Sequence, residues 1–182
     1  MRIISGKSRG TKLYTLDGNE TRPTLDRVKE SLFNIIQSEV QGKVFLDLFS
    51  GSGAIGLEAI SRGATKAIMC DNSKKAVDII RKNIEKTHAE KFVELYNESY
   101  EKIICDKINE KIDIIYIDPP YDTDLIYKSV KLILEKDILN DNSIIIAETD
   151  NENRVLDEMN KLNIKIINKR KYGRAYLIFM KK

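Results

Sequence analysis

Phe45-Leu46-Asp47-Leu48-Phe49-Ser50-Gly51-Ser52-Gly53-Ala54-Ile55-Gly56 is the stretch that decides how this chain folds. The apolar residues around Asp47 read as a buried strand. The glycines at 51, 53 and 56 read as a tight turn into a helix that opens at Ala54. Strand, glycine turn and helix make the first unit of an α/β sheet. The alternation continues downstream. Strands are expected at 43–48, 66–70, 92–96, 112–117 and 143–148, and helices at 54–61, 73–87, 99–107 and 125–135. Such a rhythm predicts a mostly parallel sheet with crossover helices on both faces. Two further strands, 163–170 and 174–180, joined by Lys171-Tyr172-Gly173, read as a hairpin that brings the last strand in antiparallel. The expected class is α/β, a Rossmann-like sheet of seven strands.

Upstream of residue 43 the pattern differs. β-prone pieces at 2–5 and 12–15 flank the polar turn Gly6-Lys7-Ser8-Arg9-Gly10 and predict a small hairpin. Residues 17–22 read as loop. Pro23-Thr24 opens a helix that Thr24 or Asp26 can cap, with Val28, Leu32, Phe33, Ile35 and Ile36 as its apolar stripe and Gln41-Gly42 as its end. No repeat, low-complexity tract or linker interrupts the 182 residues. One domain is expected over 1–182, an extension at 1–42 on an α/β core at 43–182.

Composition excludes several classes. No apolar run approaches the roughly 20 residues of a membrane span, and Met1-Arg2-Ile3-Ile4 does not open a signal peptide. Cys70, Cys105 and the single histidine, His88, have no metal-ligand spacing, so no metal is expected and a reducing cytosol suits the thiols. The net charge of +3 is unevenly laid out. Residues 1–43 carry 8 basic and 5 acidic side chains, residues 44–164 carry 16 and 23, and residues 165–182 carry 7 and none. If the basic ends meet in space they attract phosphate.

Gly51, Gly53 and Gly56 alone match a pattern shared with nicotinamide-binding folds. Asp47 separates the readings. A carboxylate at that strand end repels a pyrophosphate but attracts the ammonium of an amino-acid moiety, which S-adenosylmethionine carries. Asp71, 20 residues after Gly51, suits the ribose hydroxyls of either cofactor. Beyond the third strand, Asn97 or Glu98 can meet the adenine amino group, or either can cap the helix that follows.

The second informative stretch is Asp118-Pro119-Pro120-Tyr121, just past Ile112–Ile117, a nearly unbroken apolar run. Ligand crevices of open α/β sheets lie at that end of the strands. An exocyclic base nitrogen is a poor nucleophile because its lone pair is delocalised into the ring. Asp118 and the carbonyl of Pro119 can accept its hydrogens, which localises the lone pair. Pro120 stiffens the turn, and Tyr121 offers a ring face to a flat base. Alignment of nitrogen and methyl then supplies much of the rate, with no histidine required.

These motifs, with Met1 to Gly6, Arg9-Gly10, Thr21-Arg22-Pro23-Thr24 and Asp26 to Asn34, give a resemblance that runs through essentially the whole chain. It resembles the class I S-adenosylmethionine-dependent methyltransferases and, more closely, the RsmD family of 16S ribosomal RNA guanine-N2 methyltransferases. The resemblance implies methylation of one guanine in small-subunit rRNA, of the G966 type, by a small cytoplasmic monomer acting on rRNA already assembled with proteins in the 30S subunit. Carried onto this chain, Asp47 and Gly51 to Gly53 line the methionine end, Asp71 holds the ribose, Asn97 lies at the adenine, and Asp118, Pro119, Pro120 and Tyr121 hold the guanine. Phe49, Ser52, Asn72 and Glu98 are further expected cofactor contacts. Arg2, Lys7, Arg9, Lys12, Arg22, Arg27, Lys171 and Arg174 form the expected RNA contacts. Arg22 and Arg27 bracket a helix start, a place that suits phosphate. A DNA adenine-N6 methyltransferase shares the tetrapeptide but usually needs extra sequence to read a duplex. A non-catalytic RNA-binding assembly factor has no need of Asp47 and Asp118, and a nicotinamide oxidoreductase is opposed by Asp47.

Overall fold

The computed structural model describes residues 1–16 and 23–182, and of residues 23–25 the backbone alone. The loop expected at 17–22, with Arg22, and the expected Thr24 cap lie outside the described residues. Seven strands form one sheet: β1 Val44–Asp47, β2 Lys66–Cys70, β3 Val93–Tyr96, β4 Ile112–Ile117, β5 Leu139–Thr149, β6 Lys165–Tyr172 and β7 Ala175–Lys181. Their order is β3-β2-β1-β4-β5-β7-β6. The first five are parallel. β7 is antiparallel to both β5 and β6, so β6, at the edge, again runs with the first five. The strand order reverses between β1 and β4, and a crevice opens at such a switch point, outside the carboxyl ends of the strands. Asp47 ends β1 and Asp118 follows β4.

Alternation along the strands sends two sets of side chains to opposite faces. Leu46, Ile115, Ile117 and Ile145 pack with Tyr100 and Ile103 of α5 (Tyr100–Asp106), Ile126, Val130 and Ile133 of α6 (Leu125–Glu135), and Val155 and Met159 of α7 (Glu152–Lys161). Phe45, Ile114, Tyr116, Ile144 and Ile146 point the other way, onto Val28, Leu32 and Phe33 of α1 (Pro23–Ile35). Next to that layer, Ile3 and Leu13 of the N-terminal segment pack on α3 (Ala54–Ser61) and α4 (Lys74–Thr87).

Several boundaries depart from expectation. α7 was not foreseen: it buries only Val155 and Met159, one position per turn, and its signal is the Asn151 cap, whose side chain accepts from the Arg154 amide. The helix expected to run to Gln41 breaks at Ile36 into α1 and the short α2 (Gln37–Val40). Because α1 opens at Pro23, Asp26 sits in its first turn rather than at the cap. The C-terminal turn is Gly173-Arg174, since Lys171 pairs with Tyr176 and Tyr172 with Ala175 inside the ladder. A two-residue connection with positive φ at Gly173 suits a hairpin.

The N-terminal segment is a hairpin with one bridge, Arg2 to Lys12. Its tip lies on the C-terminal end of α3, where the Lys7 amide donates to the Ser61 carbonyl at 2.8 Å. The approach there demands glycine: a Cβ on Gly6 would lie 1.8 Å from the Ser61 carbonyl oxygen. Its open end reaches the start of α3, with the Ser52 hydroxyl 3.8 Å from the Met1 sulfur. Among the described residues no helix is long and apolar enough to cross a membrane.

Candidate active site

The glycine turn wraps around the end of β1. Positive φ at Gly51 and Gly53 lets the chain reverse into α3. The Gly51 amide donates to Asp71 Oδ2 at 2.9 Å, and the Ser73 amide to Asp71 Oδ1 at 2.8 Å. The Ser50 hydroxyl is turned to the main-chain carbonyl of Asp47 (2.9 Å). Asp47 is fully buried, and neither of its carboxylate oxygens has a hydrogen-bond partner. Burial pushes this carboxyl up to about 7, and Asp71 adds to it; the amides of Gly56 and Phe49 and the Ser50 side chain lie close enough to pull against that without reaching hydrogen-bonding geometry. A buried acceptor without a donor costs free energy, and a cationic group fitted against it relieves the cost.

The tetrapeptide Asp118 to Tyr121 stands beside this carboxylate because of register. In the parallel sheet Asp47 is opposite Tyr116 on β4, and Tyr116 is opposite Ile146 on β5. Two residues further along each strand, on the same face, come Asp118 and Glu148. Asp47, Tyr116, Asp118 and Glu148 therefore form one row on the α1 side of the sheet. They line a cavity of about 230 Å³ together with Met1, Val28 and Lys29. An adjoining outer cavity of about 470 Å³ shares Phe49, Gly51 and Asp118 with it and adds Asp71, Asn72, Pro119, Pro120 and Tyr121.

Charge is concentrated in the inner cavity. The Tyr116 hydroxyl donates to Glu148 Oε2 at 2.5 Å. Burial, then Glu148 and Asp47, push the Asp118 carboxyl well above the usual carboxylate range. Burial likewise raises Glu148, against the Tyr116 hydrogen bond. At the mouth, Tyr121 is 47% exposed and presents its ring to solvent. The Thr123 hydroxyl donates to the Pro120 carbonyl at 2.8 Å and fixes the turn.

The structure gathers Asp47, Phe49, Gly51, Ser52, Asp71, Asn72 and Asp118 to Tyr121 around these two cavities. It does not bring Asn97 or Glu98 to either. The Asn97 amide donates to the Asp71 carbonyl (3.0 Å), and Glu98 pairs with Lys102 one helical turn on (2.8 Å). Gly53 shapes the turn from beneath, as the residue before α3.

Lys7 and Arg9, expected among the RNA contacts, lie away from the crevice. The hairpin tip rests on Ser61 and Thr87, the C-terminal ends of α3 and α4, whereas the crevice lies at the N-terminal end of α3. Packing of Ile3 and Leu13 along the helices lays the hairpin lengthwise, so only its open end, with Arg2 and Lys12, approaches the cavity. Lys171 and Arg174 are at the carboxyl edge, because β6 runs with the parallel strands. Arg27 is exposed on α1, one residue before the cavity-lining Val28.

Sequence reading missed Tyr116, Glu148 and Lys29. Tyr116 hides in the apolar run of β4, and Glu148 ends a strand where a solvated carboxylate is ordinary. Lys29 looks like a surface residue of an amphipathic helix but is buried. Its Nζ reaches Glu58 Oε2 (3.4 Å) and donates to the Arg2 carbonyl (2.5 Å). Burial lowers its pKa, while Glu58 and Asp26 act in the opposite sense. Glu58, also buried, accepts in addition from the amides of Ile4 and Ser5 (2.7 and 2.9 Å) and from Arg62 (2.8 Å). A polar residue on the inward face of α3 was the available signal. Among the described residues no group of His, Cys, Asp and Glu side chains could hold a metal ion.

The chain is similar to known proteins over most of its length. A family model described as "Conserved hypothetical protein 95" matches residues 1–181. The YlbH protein of Bacillus subtilis is 36% identical over 154 residues, 84% of each chain. "Ribosomal RNA small subunit methyltransferase D" of Haemophilus influenzae is 34% identical over 163 residues, covering 88% of this chain and 84% of that protein. The solved structure of the yhhF protein of Escherichia coli superposes with a TM-score of 0.84 at 28% identity, over 99% of this chain and 96% of that one.

Proposed function

The chain belongs to the Conserved hypothetical protein 95 family of RsmD-like, class I S-adenosylmethionine-dependent methyltransferases, and from that premise we propose that it methylates the exocyclic N2 of a guanine in 16S rRNA. The observation that carries the reading is the row of Asp47 and Asp118 on adjacent strand ends, one beside the glycine turn and one beginning Asp118-Pro119-Pro120-Tyr121. Support for the substrate comes from the name of the Haemophilus influenzae relative. The finer reading is G966-type modification on a partly or fully assembled 30S subunit, in the cytoplasm.

S-adenosylmethionine supplies a methyl group on a sulfonium, an electrophile that needs only an aligned nucleophile. The cradle fits it: Asp47, buried and unpartnered, suits the ammonium, and Asp71 and Asn72 at the outer cavity suit the ribose. Asp118 and the Pro119 carbonyl accept the two N2 hydrogens and free the nitrogen lone pair. Tyr121 stacks on the base, which leaves its stem or loop to reach the crevice. A carboxyl raised by burial, as Asp118 is, also suits the proton that the amino group sheds.

The test is transfer of labelled methyl from S-adenosylmethionine to small subunits that lack the modification, followed by nucleoside analysis. N2-methylguanosine in 16S rRNA is expected. N6-methyladenosine, or label in protein, would overturn the reading.

A further inference from the structure

A carboxylate that accepts from the N2 amino group does not by itself choose guanine, because adenine also offers an amino group. The inner cavity holds a second acceptor in the right place. Glu148 stands opposite Asp118, one strand over and on the same face, as the β4–β5 register requires: Tyr116 pairs with Ile146 and Ile117 with Ala147. Parallel neighbours in a sheet lie about 4.8 Å apart. The N1–H and N2–H₂ groups of guanine are adjacent donors on one edge of the base, and two neighbouring carboxylates match that edge. Adenine presents a donor beside an acceptor and meets Glu148 with a lone pair.

We propose that Glu148, oriented by the Tyr116 hydroxyl, accepts the N1–H of the target guanine and is the residue that selects guanine over adenine. The proposal rests on the guanine-N2 reading above. Tyr116 holds Oε2 at 2.5 Å, which leaves Oε1 to accept from the base. The unpartnered, buried Asp47 in the same cavity marks the space as built for a polar ligand rather than closed by packing. Glu148 is 6% exposed and Tyr116 3%, so neither is placed there for solubility. Sites built to hydrogen-bond a given group reject an analogue that lacks it far more strongly than apolar pockets reject a missing methylene.

The test replaces the target guanine by 2-aminopurine, which keeps the 2-amino group and has a bare N1. Small subunits reconstituted with rRNA carrying either base at the target are methylated by the wild-type protein, by Glu148→Gln and by Tyr116→Phe. The wild type should prefer guanine by about 10²-fold or more in kcat/KM. Glu148→Gln, whose amide can donate to a bare N1, should reduce that preference to less than about tenfold, and Tyr116→Phe should reduce it partly. Calorimetric S-adenosylmethionine binding by both variants should remain near wild type. Equal treatment of the two bases by the wild type overturns the inference, as does a preference unchanged in both variants. If Glu148→Gln loses its fold, Tyr116→Phe, which leaves the carboxylate in place, carries the comparison. Failure of the wild type to make N2-methylguanosine on the guanine substrate would instead sink the function on which the inference rests.

Discussion

The main-chain amide of Gly51 donates to Oδ2 of Asp71 at 2.9 Å. The carboxylate expected to hold the ribose therefore also holds the turn that shapes the cofactor cradle. Asp71→Ala should weaken S-adenosylmethionine binding by more than a lost ribose contact alone, about 1.5–3 kcal/mol for one charged hydrogen bond. Asp71→Asn keeps an acceptor for Gly51 and should lose less. Calorimetric titration of the two variants separates the roles; equal losses would show that the turn does not depend on Asp71.

Asp47 should make cofactor binding and stability respond to pH in opposite directions. Its carboxyl lies near 7 in the folded chain, against about 4 when unfolded. Between these values the folded state keeps a proton that the unfolded state has released, so this contribution to stability falls as pH rises to about 7 and is level above. The ligand ammonium needs the ionised form, so affinity should rise over the same interval. Asp71, Asp118 and Glu148 share the site, and Asp47→Asn isolates the contribution of Asp47. It should flatten both profiles and raise the melting temperature of the ligand-free protein at pH 8 by about 2–4 °C per kcal/mol relieved. Melts and titrations from pH 5 to 8.5 decide; a wild-type affinity independent of pH counts against the assignment.

Asp118→Asn should slow methyl transfer by about 10²–10³-fold, the effect of losing one aligned transition-state group, with little change in cofactor affinity. Single-turnover rates measure this. Tyr121→Ala should impair use of the base more than Tyr121→Phe, because the ring face survives in the latter.

Much of this was legible because it is written in period and spacing. The five parallel strands follow from apolar runs such as Ile112–Ile117, and the two strand-end carboxylates from their place beside a glycine turn or a diproline. What escaped detection depends on register. Nothing local marks Glu148 as the neighbour of Asp118; only the pairing of β4 with β5 sets them side by side. Lys29 escaped because an amphipathic helix shows which face is apolar, not that a lysine will be covered by a hairpin from 27 residues upstream. The place of Lys7 and Arg9 away from the crevice was not legible for a related reason. Their charge was visible, but the direction in which the hairpin lies along α3 is fixed by Gly6 meeting Ser61.

The basic residues should accordingly split into two groups. Replacing Lys171 and Arg174 by alanine should weaken binding to small subunits and reduce the salt slope by about 1 per lost phosphate contact. Replacing Lys7 and Arg9 should leave both unchanged. Filter binding over a range of salt concentrations tests this; an effect of the second pair equal to the first would return the hairpin tip to the RNA interface.

Glu58→Gln should destabilise the fold by about 3–5 kcal/mol, because it strips the charge from a buried acceptor that serves Lys29, Arg62 and the amides of Ile4 and Ser5. Urea unfolding measures the loss, and unchanged stability would mean that the hairpin docks by apolar packing alone.

The Glu58 hub also sets a schedule. Ile4 and Ser5 are bound to a residue 54 and 53 positions later in the chain, and the Tyr14 amide to Asn83 Oδ1, 69 positions later. During synthesis Ile4, Ser5 and Tyr14 emerge before their partners and have no docking surface until α3 and α4 have followed them. Met1 and Lys29 wall the inner cavity, so this cavity is closed by a segment made earlier than α3 and α4, and only after those helices have folded.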